Sequence, residues 1–385
     1  MTSQPALNAT PYATLPELRA EHARLLAERP RQGEENAAEF LRQVAEFVRR
    51  GAATGAYIDD EEDRRGVQSL LDFWANVLYR ASGQPGAQVE VPDPTLADFD
   101  FSLAPELPDE PCPYRGLDAF REANSAFFFG RERLVDELLV RLQHERLLAL
   151  VGSSGSGKSS VVFGGLLPRL KQGIGAHWRY LVMVPGENPL ANLARAARSL
   201  VAEGQMDNLA AKSQLVFAED DFRGDPNYLA GLVSRTGDAP LMLVVDQFEE
   251  TFTLCTDDDE RKAFANQLIG LAQATDLPHR VILTMRTDFV DNVARLPALK
   301  PLFDRAQVDV RAMGIEELRA AIEKPAEKVG LKFDEGIVGN LIETILGEQA
   351  GLPLLQFTLL KLWERRKRNR ITADVYREVG DPRQA

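Results

Sequence analysis

The residues of this chain best suited to chemistry are Gly152, Ser153, Ser154, Gly155, Ser156, Gly157, Lys158, Ser159 and Ser160, the run GSSGSGKSS directly after the apolar LLALV. They fit the pattern G-x-x-x-x-G-K-[ST]. A strand that ends in glycine and turns into a helix aims several backbone N–H groups and the positive helix end at one point, which suits a triphosphate. The glycines admit a close backbone approach. Lys158 is expected to reach the β and γ phosphates, and the Ser159 hydroxyl to ligate Mg²⁺.

Two further stretches fit the same chemistry. LMLVVDQFEE, Leu241 to Glu250, is an apolar run that delivers Asp246 at its carboxyl end, where a carboxylate can help Ser159 hold Mg²⁺. Glu249 and Glu250 follow within one turn, and either is close enough to orient or deprotonate an attacking water. The sequence does not choose between them. RVILTMRTDF places Arg286 just beyond another strand, from which a guanidinium can reach a γ phosphate; an ion pair with Asp288 is the plain structural alternative.

These groups need a rigid frame. LLALV, WRYLVMV, LMLVV and RVILTM read as strands, separated by stretches of helix length. Near-continuous apolar strands alternating with helices predict a parallel sheet with helices on both faces, an α/β P-loop NTPase core over 114–308. After about Val308 the strands are expected to stop, leaving a C-terminal helical domain over 309–385.

Upstream, residues 1–13 read as a disordered lead and 14–83 as a small bundle of three amphipathic helices. Thr14 with Glu17 is a capping-box start, and Pro16 suits the first turn. A second helix from about Asn36 aligns Phe40, Val44, Phe47 and Val48, with Gly51 and Gly55 ending it. A third, behind the acidic Asp59 to Asp63, stacks Val67, Leu71, Trp74 and Leu78. The bundle has no catalytic constellation, so contact is its expected role. Residues 84–113 are acidic and proline-rich, a linker or an extended arm laid across the next domain.

Composition narrows the classes. The 385 residues carry a formal charge of −13, which argues against non-specific attraction to nucleic acid or anionic lipid. The first residues lack the basic and apolar regions of a secretory signal, and the apolar runs are too short to span a bilayer. The two cysteines have no ligand-like spacing and read as reduced thiols. A soluble cytoplasmic protein without membrane attachment is the expectation.

PCPYRGLDAF, FFFGRERLVDELLVRL, VGSSGSGKSS, VVDQFEE, LTMRTDF and AGLPLLQFTLLKLWER occur in the order and approximate spacing of the bacterial novel STAND NTPases, signal-transducing ATPases related to the NB-ARC and NACHT switches. The chain resembles that family from about Pro111 to Gly380. The resemblance implies that FFFGRE, including Gly130 and Arg131, packs against adenine and ribose. It implies that Pro353 of a GLPL element touches nucleotide and couples the helical domain to the core, and that Arg286 is a sensor arginine. The family normally continues into a winged helix and a repeat array, so the chain's end at VGDPRQA is expected to mark a fragment of a longer sensor.

The expectation is therefore a slowly hydrolysing switch. ADP/ATP exchange, with Mg²⁺, drives assembly into a homo-oligomer and recruits a protein effector through the N-terminal bundle, in a setting such as bacterial defence. A remodelling ATPase acting on nucleic acid or protein, and a nucleotide-stabilised scaffold, are the alternatives. Neither trigger nor base preference is readable.

Overall fold

A computed structural model describes residues 10–29, 37–83, 89–203, 219–348 and 351–380. Most of the expected lead (residues 1–9), Asn36, the first linker residues (84–88) and the end of the chain (381–385) lie outside them. The chain divides into two units, Met1–Glu106 and Leu107–Ala385.

In the first unit, helices α1 (Leu15–Ala27), α2 (Ala37–Thr54) and α3 (Glu61–Ser82) enclose a core in which Leu18, Val44, Phe47, Leu71 and Trp74 are buried. Thr14 accepts the Glu17 N–H, while the Glu17 carboxylate accepts that of Ala13, a capping box shifted by one residue. Asp60 caps α3 in the same way, accepting from Asp63 N, so the acidic run serves a helix N-terminus.

Three expectations need correction here. Gly51 does not end α2, which continues to Thr54; a Cβ there would lie 2.4 Å from Leu71, so its absence lets α2 and α3 approach. The lead does not extend to Ala13, since Tyr12 is buried beneath Arg50 and donates its N–H to Thr54. The acidic stretch, expected as a linker or an arm across the next domain, packs in part on the bundle that precedes it. Leu96 enters the bundle core, and Ala97 exchanges hydrogen bonds with Ala52 and Arg64.

In the second unit, strands β1 (Leu147–Gly152), β2 (Arg179–Met183), β3 (Leu241–Val245), β4 (Arg280–Arg286) and β5 (Gln307–Asp309) form a parallel sheet in the order β2-β3-β4-β1-β5. Residues alternate between two buried faces. Leu243, Val245 and Leu283 pack under helices Pro189–Glu203, Tyr228–Thr236 and Asp258–Gln273. Leu148, Leu150 and Val244 pack under α4 (Glu132–His144) and the helix after the glycine-rich loop. The sequence misses β5, whose three residues are too short to show a period.

Helices Ile315–Val329, Ile337–Ile345, Gly351–Glu364 and Ala373–Val379 build a separate core around Ile322, Leu341, Leu359 and Trp363. Tyr114, upstream of the sheet, is buried in that core and donates its hydroxyl to Ile322 O at 2.8 Å. The expectation that strands stop near Val308 is corrected by β6 (Lys332–Phe333) and β7 (Arg370–Ile371), a parallel pair too brief to read by pattern.

Candidate nucleotide-binding site

Strand β1 is buried along its whole length and ends at Gly152, where an added Cβ would stand 2.6 Å from Ser156 Oγ and 2.9 Å from Val310 O. The loop beyond it turns through Gly155 at φ 73° and Gly157 at φ 88°, the left-handed region that favours glycine. A helix then runs from Lys158, first as α-helix, then through a π-helical stretch Val161–Leu166, then as α-helix to Gln172. Gly164 and Gly165 in the π stretch leave room for two aromatic side chains: a Cβ on Gly164 would come 2.7 Å from Phe120, and one on Gly165 2.7 Å from Phe128.

The loop lines a cleft together with Gly116 to Phe120, Phe127 to Phe129, Arg131, Gln247, Glu249, Arg286 and helix residues Leu352, Pro353 and Gln356. Lys158 donates to Gly152 O at 3.0 Å and to Ser153 O at 2.8 Å. Burial lowers its pKa, opposed by the carboxylates of Glu249 and Asp246. A desolvated ammonium beside a curl of glycines fits an anionic ligand. These groups fit a bound nucleotide phosphate. Ser156 does not line the cleft; its buried hydroxyl lies against Gly152.

Ser159 Oγ donates to Asp246 at 2.9 Å to Oδ1 and 3.1 Å to Oδ2. A hydroxyl and a carboxylate converging beside a phosphate cradle fit Mg²⁺, which takes few protein oxygens and completes its shell with water and phosphate. No cluster of three or more His, Cys, Asp and Glu suited to metal occurs among the described residues. Ser160 also lines the cleft, and its Oγ accepts the Phe120 N–H at 3.1 Å, tying the upstream segment to the loop.

The two glutamates separate. Glu249 faces the cleft, accepts the Arg286 N–H at 3.2 Å, and has its pKa raised by burial against those backbone hydrogen bonds and the nearby Lys158 and Arg286 charges. Glu250 turns away to accept the Gly186 N–H at 3.1 Å, beyond β2. Arg286 borders the cleft, but its guanidinium is engaged by Asp288 and lies 5.4 Å from the Phe289 ring centre.

Gly130 does not line the cleft. It lies at φ 87° where a Cβ would meet Glu317 O at 2.3 Å, so its place is the seam with helix Ile315–Val329. Arg131 is 5% exposed, donates to Arg311 O at 2.7 Å and Ser156 O at 3.3 Å, and has its pKa lowered by burial against the pull of Glu317. Pro353 lines the cleft, and its neighbour Leu352 lies 3.7 Å from where a Gly157 Cβ would stand.

Sequence reasoning gave no role to Gln247, Thr284 or Gln356, which also line the cleft. Thr284 carried a signal, a hydroxyl inside an apolar strand, which must find a partner once buried.

A phosphate cradle at the carboxyl edge of a parallel sheet, with a carboxylate two strands away and the intervening strand bringing an arginine, defines a P-loop nucleoside triphosphatase. The chain belongs to the Novel STAND NTPase 1 family, whose profile matches residues 113–385. No curated protein matches it. Among solved structures it is similar to the ORC1 protein of Aeropyrum pernix in complex with DNA, at 16% identity and TM-score 0.45 over 70% of this chain and 67% of that one. It is likewise similar to the Walker-type ATPase PABY2304 of Pyrococcus abyssi, at 15% identity and TM-score 0.45 over 65% and 72%. Among the described residues no helix is long and apolar enough to cross a membrane.

Proposed function

We propose that the chain is an ATP-binding, slowly hydrolysing cytoplasmic switch in which nucleotide state sets how the helical part engages the NTPase core. The observation that carries this reading is the shared cleft: Leu352, Pro353 and Gln356 of helix Gly351–Glu364 face the same space as Lys158, Ser159 and Arg286. A ligand there touches both parts and biases any equilibrium between them. ADP holds the resting arrangement. ATP with Mg²⁺ adds a γ phosphate within reach of Arg286, which exchanges Asp288 for it and shifts the helical part. Glu249 activates the water whose attack resets the cycle.

Assembly into a homo-oligomer follows ATP binding, and the N-terminal bundle recruits an effector protein, with bacterial defence as the setting suggested by the family. The test is sedimentation of the protein loaded with Mg²⁺ and either ADP or a non-hydrolysable ATP analogue, with hydrogen exchange followed over residues 351–364. A larger species and altered exchange with the analogue alone support the switch. Identical behaviour in both states overturns it, and turnover of many per second stimulated by DNA or a protein substrate replaces it with a remodelling ATPase.

A further inference from the structure

Thr284 is a buried hydroxyl, 1% exposed, in the otherwise apolar inner stretch Val281 to Met285 of β4. It makes three hydrogen bonds to the turn that follows β3. Its Oγ1 donates to Asp246 Oδ1 at 2.5 Å, the same oxygen accepts the Gln247 N–H at 2.9 Å, and its carbonyl accepts the Phe248 N–H at 2.8 Å. A hydroxyl has one proton to give, and an ionised carboxylate only accepts, so the direction of the bond to Asp246 is determined.

The turn needs this support. Gln247 sits at φ 57°, a left-handed conformation that a non-glycine residue keeps only where its surroundings enforce it. The same turn carries Asp246, which meets Ser159, and Gln247 and Glu249, which line the cleft. Ser159 donates to both oxygens of Asp246, and Thr284 adds a second donor to Oδ1 alone. Oδ2 is therefore the oxygen with more acceptor capacity left for a cation.

We propose that Thr284 is a positioning residue for the metal-holding carboxylate: its hydroxyl orients Asp246 and pins the turn, and thereby sets the affinity of the site for Mg²⁺ rather than for nucleotide. The inference rests on the reading of Asp246 as a Mg²⁺ ligand. Outer-sphere hydrogen bonds of this kind are worth about 10- to 100-fold in metal affinity.

The experiment titrates Mg²⁺ into the full chain with a fluorescent ADP analogue and repeats the nucleotide titration in EDTA, for the parent, Thr284→Val, Thr284→Ser and Asp246→Asn. Thr284→Val is expected to raise the Mg²⁺ midpoint about tenfold or more while leaving affinity in EDTA within about twofold, and Thr284→Ser to restore the midpoint. A shifted midpoint in Asp246→Asn but not in Thr284→Val overturns the inference alone. An unchanged midpoint in Asp246→Asn overturns the metal reading and the inference with it. Equal weakening of Thr284→Val with and without Mg²⁺ makes the role purely structural and overturns it too. Should the valine variant fail to fold, Thr284→Ala is judged by the same criteria.

Discussion

Ser159 and Asp246, 87 residues apart in sequence, meet through a 2.9 Å hydrogen bond although β4 lies between the strands that precede them. Two strand spacings amount to about 10 Å, more than either side chain spans. The contact exists because the glycine-rich loop carries the start of the next helix over the carboxyl edge of the sheet, where it lies against β4 as well as β1. It joins the glycine-rich loop to the turn that follows β3.

Removing the cradle's charge should weaken phosphate affinity strongly while sparing the fold. Lys158 contacts two carbonyls of its own loop and no core side chain in those bonds. Lys158→Ala is expected to weaken ADP binding on the order of 100-fold, since charge-assisted bonds contribute about 1.5–3 kcal/mol each. Calorimetric titration measures the loss, and unchanged circular dichroism shows the fold intact. Parent-like affinity in the variant sinks the assignment of the loop.

Exchanging each glutamate for glutamine separates their roles. Glu249→Gln is expected to slow hydrolysis about 10²- to 10⁴-fold with nucleotide binding retained, the range for losing a general base. Glu250→Gln keeps an acceptor for Gly186 and should hydrolyse within a few-fold of the parent. Single-turnover rates decide it, and a larger loss in Glu250→Gln reverses the assignment.

The burial that raises the Glu249 pKa has a consequence for stability. A carboxyl whose folded pKa exceeds its unfolded value contributes stability that is fully present below the unfolded pKa and is lost as pH rises through the folded one. Glu249→Gln escapes that loss. Without nucleotide it should melt above the parent near pH 8 and level with it near pH 4. For the same reason the acid limb of kcat/KM in the parent should lie above the ordinary glutamate range. Parallel melting curves at both pH values contradict the burial effect.

Gly130 tests the seam beside the cleft. Gly130→Ala forces a Cβ toward Glu317 O in a backbone conformation alanine avoids. A loss of about 1–3 kcal/mol is expected from urea unfolding, with weaker nucleotide binding as helix Ile315–Val329 is displaced. A neutral effect would mean that this seam yields freely.

The chemistry-bearing run, the four longer strands and the amphipathic helices were legible because each depends on neighbours in sequence: glycines at a strand's end, unbroken apolar runs, a 3.6-residue stripe. Asp246 and Arg286 were legible as strand ends for the same reason. What tertiary structure decided was direction and partnership. Glu249 and Glu250 are alike in sequence, yet the left-handed turn at Gln247 sends the first toward Lys158 and the second toward Gly186. Gly51 reads as a stop and is a helix contact, because the reason for it, Leu71, stands on another helix. Tyr114, upstream of the sheet, is buried in the core of the last helices. Short-range order follows from local spacing, whereas the pairing of a buried polar group depends on which distant segment the packed core brings against it.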